Sequence, residues 1–575
     1  MAESGKCGQI NSVKSHELFQ VAAFVAAVIL VTPALGWLML RVFRGEKHFL
    51  TPVLGWLERL VFRLAGIDPS IEMRWTAYAG ALMIFNIAGI FLLLGIQMLQ
   101  SHLPLNGGGF ADIPFPLAWN TAVSFVTNTN WQAYSGEAVM SHFTQMAGLA
   151  VQNFLSAATG LAVAVAVTRG ITRKTGETIG NFWADLVRAT LYVLLPLSFL
   201  LAAVLIWQGV PQTLESSVKA TTMSGAEQVI PLGPVASQIA IKQLGTNGGG
   251  YFGANAAHPF ENPTPLTNFL QMLAIFAIPA GLTSFFGRMT GNKRQGRVIF
   301  GVMMTLFLAG FAVSWWAESR PNPSLAVAVP FEGKEVRFGV MNSVLFSTAT
   351  TAASCGAVNV MHDSLSPLAG GMALLNMLLG EVVFGGVGAG LYGILLFVVV
   401  TVFLAGLMVG RTPEYLGKKL EAREIRWAVI GVLAPCVCIL IGLAVACAVT
   451  AGSATLGNPG PHGFSEMFYD FASAAANNGS AFGGLGANND FYNIALSLCM
   501  FLGRFAVIIP ALAVAGSLAG KKIAPASPGT FPTHGATFGI LLVAVIVIVG
   551  ALTFFPALCL GPIAEHVLML SGRTF

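Results

Sequence analysis

Ten apolar runs, most of them about as long as a membrane-spanning helix, constrain the fold of this 575-residue chain more than any other feature. Such a helix needs about 20 apolar residues. Only 10% of the residues are charged, whereas soluble domains have about 25%, so a soluble globular protein is excluded. The predicted spans of this all-α polytopic membrane protein are Phe19–Leu40, Thr76–Leu99, Phe143–Val167, Phe182–Trp207, Leu266–Phe286, Val298–Trp316, Met372–Val409, Trp427–Thr450, Ile494–Leu518 and Gly535–Ala557.

The seventh apolar run is too long for a single simple crossing. Because glycine weakens a helix interior and accompanies kinks, we predict that this span is broken near its middle. The glycines that interrupt it are Gly380, Gly385, Gly386, Gly388 and Gly390.

Basic residues predict the orientation of the spans. Twenty of the 30 lysines and arginines fall in the loops that follow spans one, three, five, seven and nine. By the positive-inside rule these loops are cytoplasmic, and both termini are predicted to lie outside. The net charge of +5 is too small to indicate nucleic-acid binding. Cys436 and Cys438 diverge on a helix, and no metal-binding cluster of cysteines is predicted.

Four loops on the predicted outer side share one pattern, a short apolar stretch followed by small and amide residues. They are Ala118–Glu137, Ala236–Asn255, Met341–Ser364 and Ser465–Gly484. Self-similarity of this kind indicates a repeated architecture. We therefore predict four pseudo-symmetric helix–pore-loop–helix units around one axis. Aligned on the ends of the short helices, the four loops place these residues in register: Gln132, Gly248, Gly356 and Gly479.

The chemistry of these loops is that of neutral oxygen ligands. None of the four clusters has a carboxylate at its centre, and glycine lets backbone carbonyl oxygens point inward. A ring of such oxygens can replace the hydration shell of a large monovalent cation such as potassium. Asn/Gly-rich stretches are usually ordinary surface turns, and for any single loop that is the better interpretation. Four matching loops, each between two spans, favour an ion-selective ring.

Long motifs in the chain identify a family resemblance. Gly245–Leu266, Thr127–Glu137, Ser354–Gly371 and Ala474–Gly484 closely resemble the potassium-binding subunit of the bacterial Kdp ATPase, and the resemblance covers essentially the whole chain. It implies a subunit of the bacterial inner membrane that selects potassium. The implied partners are a P-type ATPase catalytic subunit, which uses the ATP and magnesium, a single-span accessory subunit and a very small membrane subunit. Membrane lipid surrounds the complex, and no cofactor beyond bound potassium is implied.

The resemblance also implies a set of filter residues and a gate. Carried over position by position, the filter residues are Asn128, Thr129, Asn130, Trp131, Gln132, Thr246, Asn247, Gly248, Ser354, Cys355, Gly356, Asn477, Asn478 and Gly479. The broken seventh span corresponds to the family's gate, with Gly380, Glu381, Gly385 and Gly386 as candidates.

The predicted division of the chain is an outer segment (1–17), a peripheral span (18–40), pore units (76–168, 182–287, 298–410 and 427–518) and a second peripheral span (535–558).

Ionisable residues within spans are functional candidates by default. Arg504 is interpreted either as a positive barrier or partner contact below the filter, or as a structural residue that snorkels or pairs with Glu381. Lys242 and Arg188 are interpreted as structural, and His362 and Asp363 as shaping the outer mouth.

The sequence argues against an ATPase activity of the chain itself. There is no phosphate-binding GxxxxGK[ST] loop, and Arg173 stands where the closest match to a P-type motif needs its aspartate nucleophile. We therefore predict a non-hydrolytic subunit. The alternative is a self-sufficient potassium channel or symporter of the same superfamily, without an ATPase partner.

Overall fold

The structure, a computed structural model, describes residues 15–174, 176–324, 331–524 and 530–573. Most of the predicted outer segment 1–17 therefore lies outside the described residues. Helices of the first half are α1 (Ser15–Arg44), α2 (Thr51–Leu64), α3 (Trp75–Met98), α4 (Phe115–Val126), α5 (Gly136–Val139), α6 (Val151–Thr172), α7 (Phe182–Arg188), α8 (Leu195–Trp207), α9 (Val235–Leu244) and α10 (Pro265–Met289). Those of the second half are α11 (Lys293–Glu318), α12 (Gly339–Ala352), α13 (Pro367–Leu378), α14 (Ala389–Val409), α15 (Ala422–Ala448), α16 (Thr450–Ser453), α17 (Gly460–Ala475), α18 (Asp490–Ala519), α19 (Ala536–Leu560) and α20 (Pro562–Leu570).

Ten continuous helices in the described ranges are long and apolar enough to cross a membrane. Two of them include π-helical turns, Thr144–Ala150 before α6 and Ala189–Leu194 between α7 and α8. The predicted all-α polytopic fold is confirmed.

Among the residues that the structure describes, the few strands are short and form three antiparallel pairs outside the spans. They are β1 (Met73–Arg74) with β2 (Thr178–Gly180), β3 (Ser217–Thr221) with β4 (Glu227–Pro231), and β5 (Glu414–Tyr415) with β6 (Lys418–Lys419). The β3–β4 hairpin projects from the loop between α8 and α9.

Four short helices, α4, α9, α12 and α17, each stand between two spans and are buried along most of their length. We call them the pore helices, and the side on which their loops lie the pore-loop side. The first and fourth units meet directly, because Asn120 of α4 donates to the Asn493 carbonyl of α18 at 2.9 Å. The four units therefore close on themselves, while α1 packs against α10 and α19 against α11 and α14 at the periphery.

The structure divides the seventh apolar run into α13 and α14, with an irregular segment between Leu379 and Gly388. Within it Gly380 and Glu381 have left-handed backbone conformations, with φ of 83° and 56°. Two hydrogen bonds tie the segment to the ends of two pore helices, α12 of its own unit and α9 of unit two. The Gly386 N–H donates to the Ala353 carbonyl at 2.8 Å, and the Val387 N–H donates to the Thr246 hydroxyl at 2.7 Å. Such non-helical backbone is tolerated at membrane depth only where protein or a water-filled cavity surrounds it.

A histidine clamp joins three elements on the pore-loop side. His462, at the start of α17, donates to Asp363 at 2.9 Å and to Glu565 of α20 at 2.7 Å. Burial lowers the pKa of His462, but these two carboxylates more than compensate and raise it to about 10. Ligand atoms of Asp363, His462 and Glu466 lie within 4.8 Å of one another. Because both ring nitrogens donate to carboxylates, the clamp is better suited to holding α20 than to ligating a metal.

The clamp predicts a specific pH dependence of stability. Because the folded pKa exceeds the usual value near 6.5, the stabilisation is fully present below pH 6.5 and is lost as the pH rises through about 10. His462→Gln should lower the unfolding temperature at pH 6 by about 1–3 °C, since a charge-assisted hydrogen bond contributes about 1.5–3 kcal/mol. In thermal melts the substitution should also flatten the decline of the unfolding temperature between pH 6.5 and 10. His102→Gln, at a side chain 77% exposed beside Asp112, is the matched control. Equal pH slopes in the wild type and His462→Gln would contradict the prediction.

Candidate ion-binding ring

The four pore helices end in the same backbone motif. The first residue beyond each C-cap is left-handed, with φ between 48° and 68°; these residues are Asn128, Thr246, Ser354 and Asn477. Two residues later the backbone is left-handed again, with φ between 54° and 95°, at Asn130, Gly248, Gly356 and Gly479. The chain thereby reverses direction and returns towards the pore-loop side. The four segments between the first and second left-handed residues form what we call the ring.

The ring corrects the sequence alignment in the first unit. Asn130, and not Gln132, occupies the position of the three glycines, so the predicted register was wrong by two residues. Asparagine is one of the few residues other than glycine that adopts the left-handed conformation without large strain. Gln132 lies beyond the ring, where it accepts from the Gly250 N–H at 2.8 Å and donates to the Gly250 carbonyl at 3.1 Å. Its side chain connects the first and second loops.

The ring is closed by contacts between consecutive units. An added Cβ on Gly248 would lie 1.6 Å from the Cys355 carbonyl oxygen, and one on Gly356 would lie 2.1 Å from that of Asn478. One on Gly479 would lie 2.0 Å from the Thr129 carbonyl oxygen. These values leave no room for any side chain at the three glycines.

Asn130 links unit one to unit two through its side chain. Its amide donates to Asn153 at 2.7 Å and reaches the Gly248 carbonyl at 3.4 Å. Units one to four are thus linked in order around one axis, and the first unit holds its neighbour through a side chain rather than through bare backbone.

Side-chain amides brace the ring through hydrogen bonds between units. Asn128 donates to the Thr246 carbonyl at 3.1 Å, and Asn247 donates to the Asn128 side chain at 2.5 Å. Asn477 donates to the Thr129 hydroxyl at 2.9 Å, and Asn478 to the Thr350 carbonyl at 2.9 Å.

The amide of Asn478 is therefore engaged in bracing rather than offered as an ion ligand. The Thr246 hydroxyl is likewise engaged, since it accepts from Val387. Oδ1 of Asn130 and Oδ1 of Asn247 are buried without a hydrogen-bond partner among the described residues, so these two oxygens remain available as neutral ligands beside the backbone carbonyls of the ring. Cys355 and Trp131 have buried side chains, and Trp131 packs in an apolar cluster around α4 and α17.

A cavity of about 50 Å³ lies beside the C-terminal end of the pore helix α17. Asn477 of the ring, Gly380 and Glu381 of the interrupted span, and Arg504 of α18 contribute to its walls. Residues of α13, α14, α15, α17, α18 and α19 form most of the remainder. The structure thus brings most of the predicted gate candidates to one place. Gly385 lies in the same loop but does not line the cavity. Gly386 lies next to the side chains of Glu381 and Arg504.

Arg504 and Glu381 face this region without forming an ion pair. Among the described residues no salt bridge within 4.0 Å joins them, and Nη2 of Arg504 is buried without a hydrogen-bond partner. The structural interpretation of Arg504 as the salt-bridge partner of Glu381 therefore lacks support. Arg188, in contrast, pairs with Glu58 at 2.9 Å, as expected for a structural residue.

Several features of the site were missed at the level of sequence. The equivalence of Asn130 with the glycines was present in the letters, because TNTN (127–130), GTNG (245–248), ASCG (353–356) and ANNG (476–479) align without gaps. The signal was the fourth position of each tetrapeptide, which is always glycine or asparagine, the residues that best tolerate a left-handed backbone. The bracing roles of Asn153 and Ser156 on α6 had no such signal, since they lie far from the loops in sequence.

Four helix–pore-loop–helix units that close around a ring of backbone segments are typical of membrane proteins that conduct or transport ions. A model of the family described as potassium-transporting ATPase A subunit, KdpA, matches residues 22–567. The chain belongs to this family.

Curated relatives named potassium-transporting ATPase potassium-binding subunit agree with this assignment. The protein from Mesorhizobium japonicum is 57% identical over 97% of this chain and 99% of its own length. The Pseudomonas aeruginosa protein is 56% identical over 96% of this chain and 99% of its own length. The crystal structure of the potassium transporter TrkH from Vibrio parahaemolyticus is similar in fold, with a TM-score of 0.52, 14% identity, and coverage of 86% of this chain and 98% of that one.

Proposed function

We propose that the chain binds and selects potassium on the outer side of the membrane and passes it inward, as the potassium-binding subunit of a high-affinity ATP-driven importer. The observation that carries the proposal is the ring of four backbone segments, closed by glycines whose Cβ positions are occupied by neighbouring carbonyl groups. Membership in the family supports the same role.

Potassium is the cation that best fits this chemistry. The ring segments contain neither an acidic nor a basic residue, so selection depends on neutral oxygens and on geometry. A divalent cation would require carboxylates, whereas carbonyl oxygens suit a large, weakly hydrated monovalent ion. The C-terminal ends of α4, α9, α12 and α17 point their partial negative charges towards the same place, which further stabilises a cation.

The importer requires partners that this chain does not supply. We propose a P-type ATPase subunit, a single-span subunit and a very small subunit as its companions in the bacterial inner membrane. Both termini lie outside in this arrangement, and the ring opens to the exterior. The cavity beside Glu381 and Arg504 then lies on the route of the ion after the ring. A free-standing channel or symporter is not favoured, because the relatives are named as subunits of an ATPase.

Rubidium uptake into liposomes tests the proposal. The chain is reconstituted alone and with its co-expressed membrane partners, each with and without ATP. We expect uptake that requires both the partners and ATP and that is competed by potassium but poorly by sodium. Uptake by the chain alone, at a comparable rate, would instead establish a channel or symporter and would overturn the subunit assignment.

A further inference from the structure

Each pore helix carries one polar residue three positions before its C-cap residue. These four residues are Ser124, Lys242, Thr350 and Ser473. In the first two units this side chain donates a hydrogen bond to the carbonyl that directly follows the ring. Ser124 donates to the Trp131 carbonyl at 3.0 Å, and the Lys242 ammonium donates to the Gly249 carbonyl at 2.7 Å.

The two carbonyl groups occupy equivalent positions. Trp131 follows Asn130, and Gly249 follows Gly248, which are the second left-handed residues of their units. A carbonyl oxygen that accepts a bond from the pore helix points back towards that helix. It therefore points away from the axis and is withheld from an ion there. The last carbonyls of these two units that accept no bond from a side chain of their own pore helix are those of Asn130 and Gly248.

The lysine is neutralised where it lies. Lys242 and Glu261 form an ion pair whose side chains are 1% and 0% exposed. The second carboxylate oxygen of Glu261 accepts the Phe252 N–H at 2.9 Å, so the pair ties both ends of the stretch from Gly249 to Phe252 to the helix. A buried charge left without its partner would be strongly destabilising, which explains why the two occur together.

We propose that Lys242, held by Glu261, is a positioning residue that sets the outer limit of the ion-binding ring and thereby its discrimination among monovalent cations. Ser124 has the same role in unit one. The inference rests on the proposed potassium-binding function. An additional carbonyl that is free to turn inward changes the number of ligands around the outermost ion, and ligand number is one of the quantities that separate potassium from sodium.

The test removes the hydrogen bond without leaving a net charge. Lys242→Met combined with Glu261→Gln keeps approximate side-chain volume, and the amide oxygen introduced by the second substitution can still accept the Phe252 N–H. The full chain, purified with its co-expressed partners in nanodiscs, is titrated with potassium, rubidium and sodium chloride by calorimetry. We expect the potassium-over-sodium affinity ratio to fall at least about tenfold. Ser124→Ala, a smaller change that spares the fold, should lower the ratio about threefold.

A second buried pair supplies the matched control. Lys334 and Glu318 lie 2.8 Å apart, and both side chains are 0% exposed, but the pair lies between α11 and the loop before α12 and not at the carbonyls that follow the ring. Lys334→Met with Glu318→Gln should lower thermal stability and leave the affinity ratio unchanged.

The outcomes separate the inference from the function on which it rests. An unchanged ratio in both the Lys242/Glu261 and the Ser124 variants, or an equal fall in the Lys334/Glu318 control, would overturn the positioning role. If the Lys242 variant fails to fold, the ratio measured for Ser124→Ala decides. A wild-type complex that binds sodium as tightly as potassium would overturn the proposed function itself.

Discussion

Gly248→Asp is expected to weaken the apparent potassium affinity by at least about tenfold, and Gly248→Ala by a similar factor. The backbone at this residue has a φ of 82°, which disfavours any Cβ. An added Cβ would also lie 1.6 Å from the Cys355 carbonyl oxygen, so the third segment has to move. Aspartate further introduces a charge into a ring of neutral oxygens. The measurement is the concentration dependence of rubidium uptake by the reconstituted complex.

Gly301→Ala is the control for this substitution. Gly301 lies within α11, and an added Cβ there meets no atom within 4 Å. Uptake by this variant should match the wild type in both rate and affinity. If Gly248→Asp and Gly248→Ala also retained the wild-type affinity, the second loop would have no place in the binding site.

Arg504→Ala is expected to raise potassium passage in the absence of ATP by about tenfold, while the preference for potassium over sodium stays intact. A unit charge about 7 Å from a passing ion opposes it by about 2 kcal/mol when the effective dielectric constant is about 20. Arg504 borders the cavity and forms no salt bridge within 4.0 Å among the described residues, but Glu381 lines the same cavity and offsets part of this energy, which leaves about 1.4 kcal/mol, or about tenfold. The ring, which meets this cavity at Asn477, is unchanged by the substitution and should select ions as before.

Arg504→Lys retains the charge and serves as the control for this effect. Passive rubidium flux and ATP-driven uptake are both recorded, together with the amount of assembled complex. The lysine variant should remain close to the wild type. Wild-type flux, coupling and assembly in Arg504→Ala would assign the arginine a structural role only.

The division of the chain into spans could be predicted from the sequence because it depends on local composition. Apolar runs such as Trp427–Thr450 must satisfy their own backbone hydrogen bonds in lipid, so their length and hydropathy already identify a helix. The four loops and their neutral, glycine-rich chemistry were also visible, because each repeats within one short stretch of sequence. The family resemblance could be recognised for the same reason.

The ungapped alignment of the four loops contained a signal for the register of the ring, but the tertiary structure was needed to choose Asn130 over Gln132. By residue type alone, either Gln132 or Asn130 is plausible as the counterpart of the three ring glycines. The choice depends on which of the two has a left-handed backbone next to Gly248. The roles of Lys242, Ser124 and Arg504 likewise depend on neighbours that are distant in sequence or are brought close by a chain reversal. Local sequence determines which helices form, because lipid leaves each backbone segment few alternatives. Packing decides which carbonyls face the axis, because that orientation is set by contacts between units.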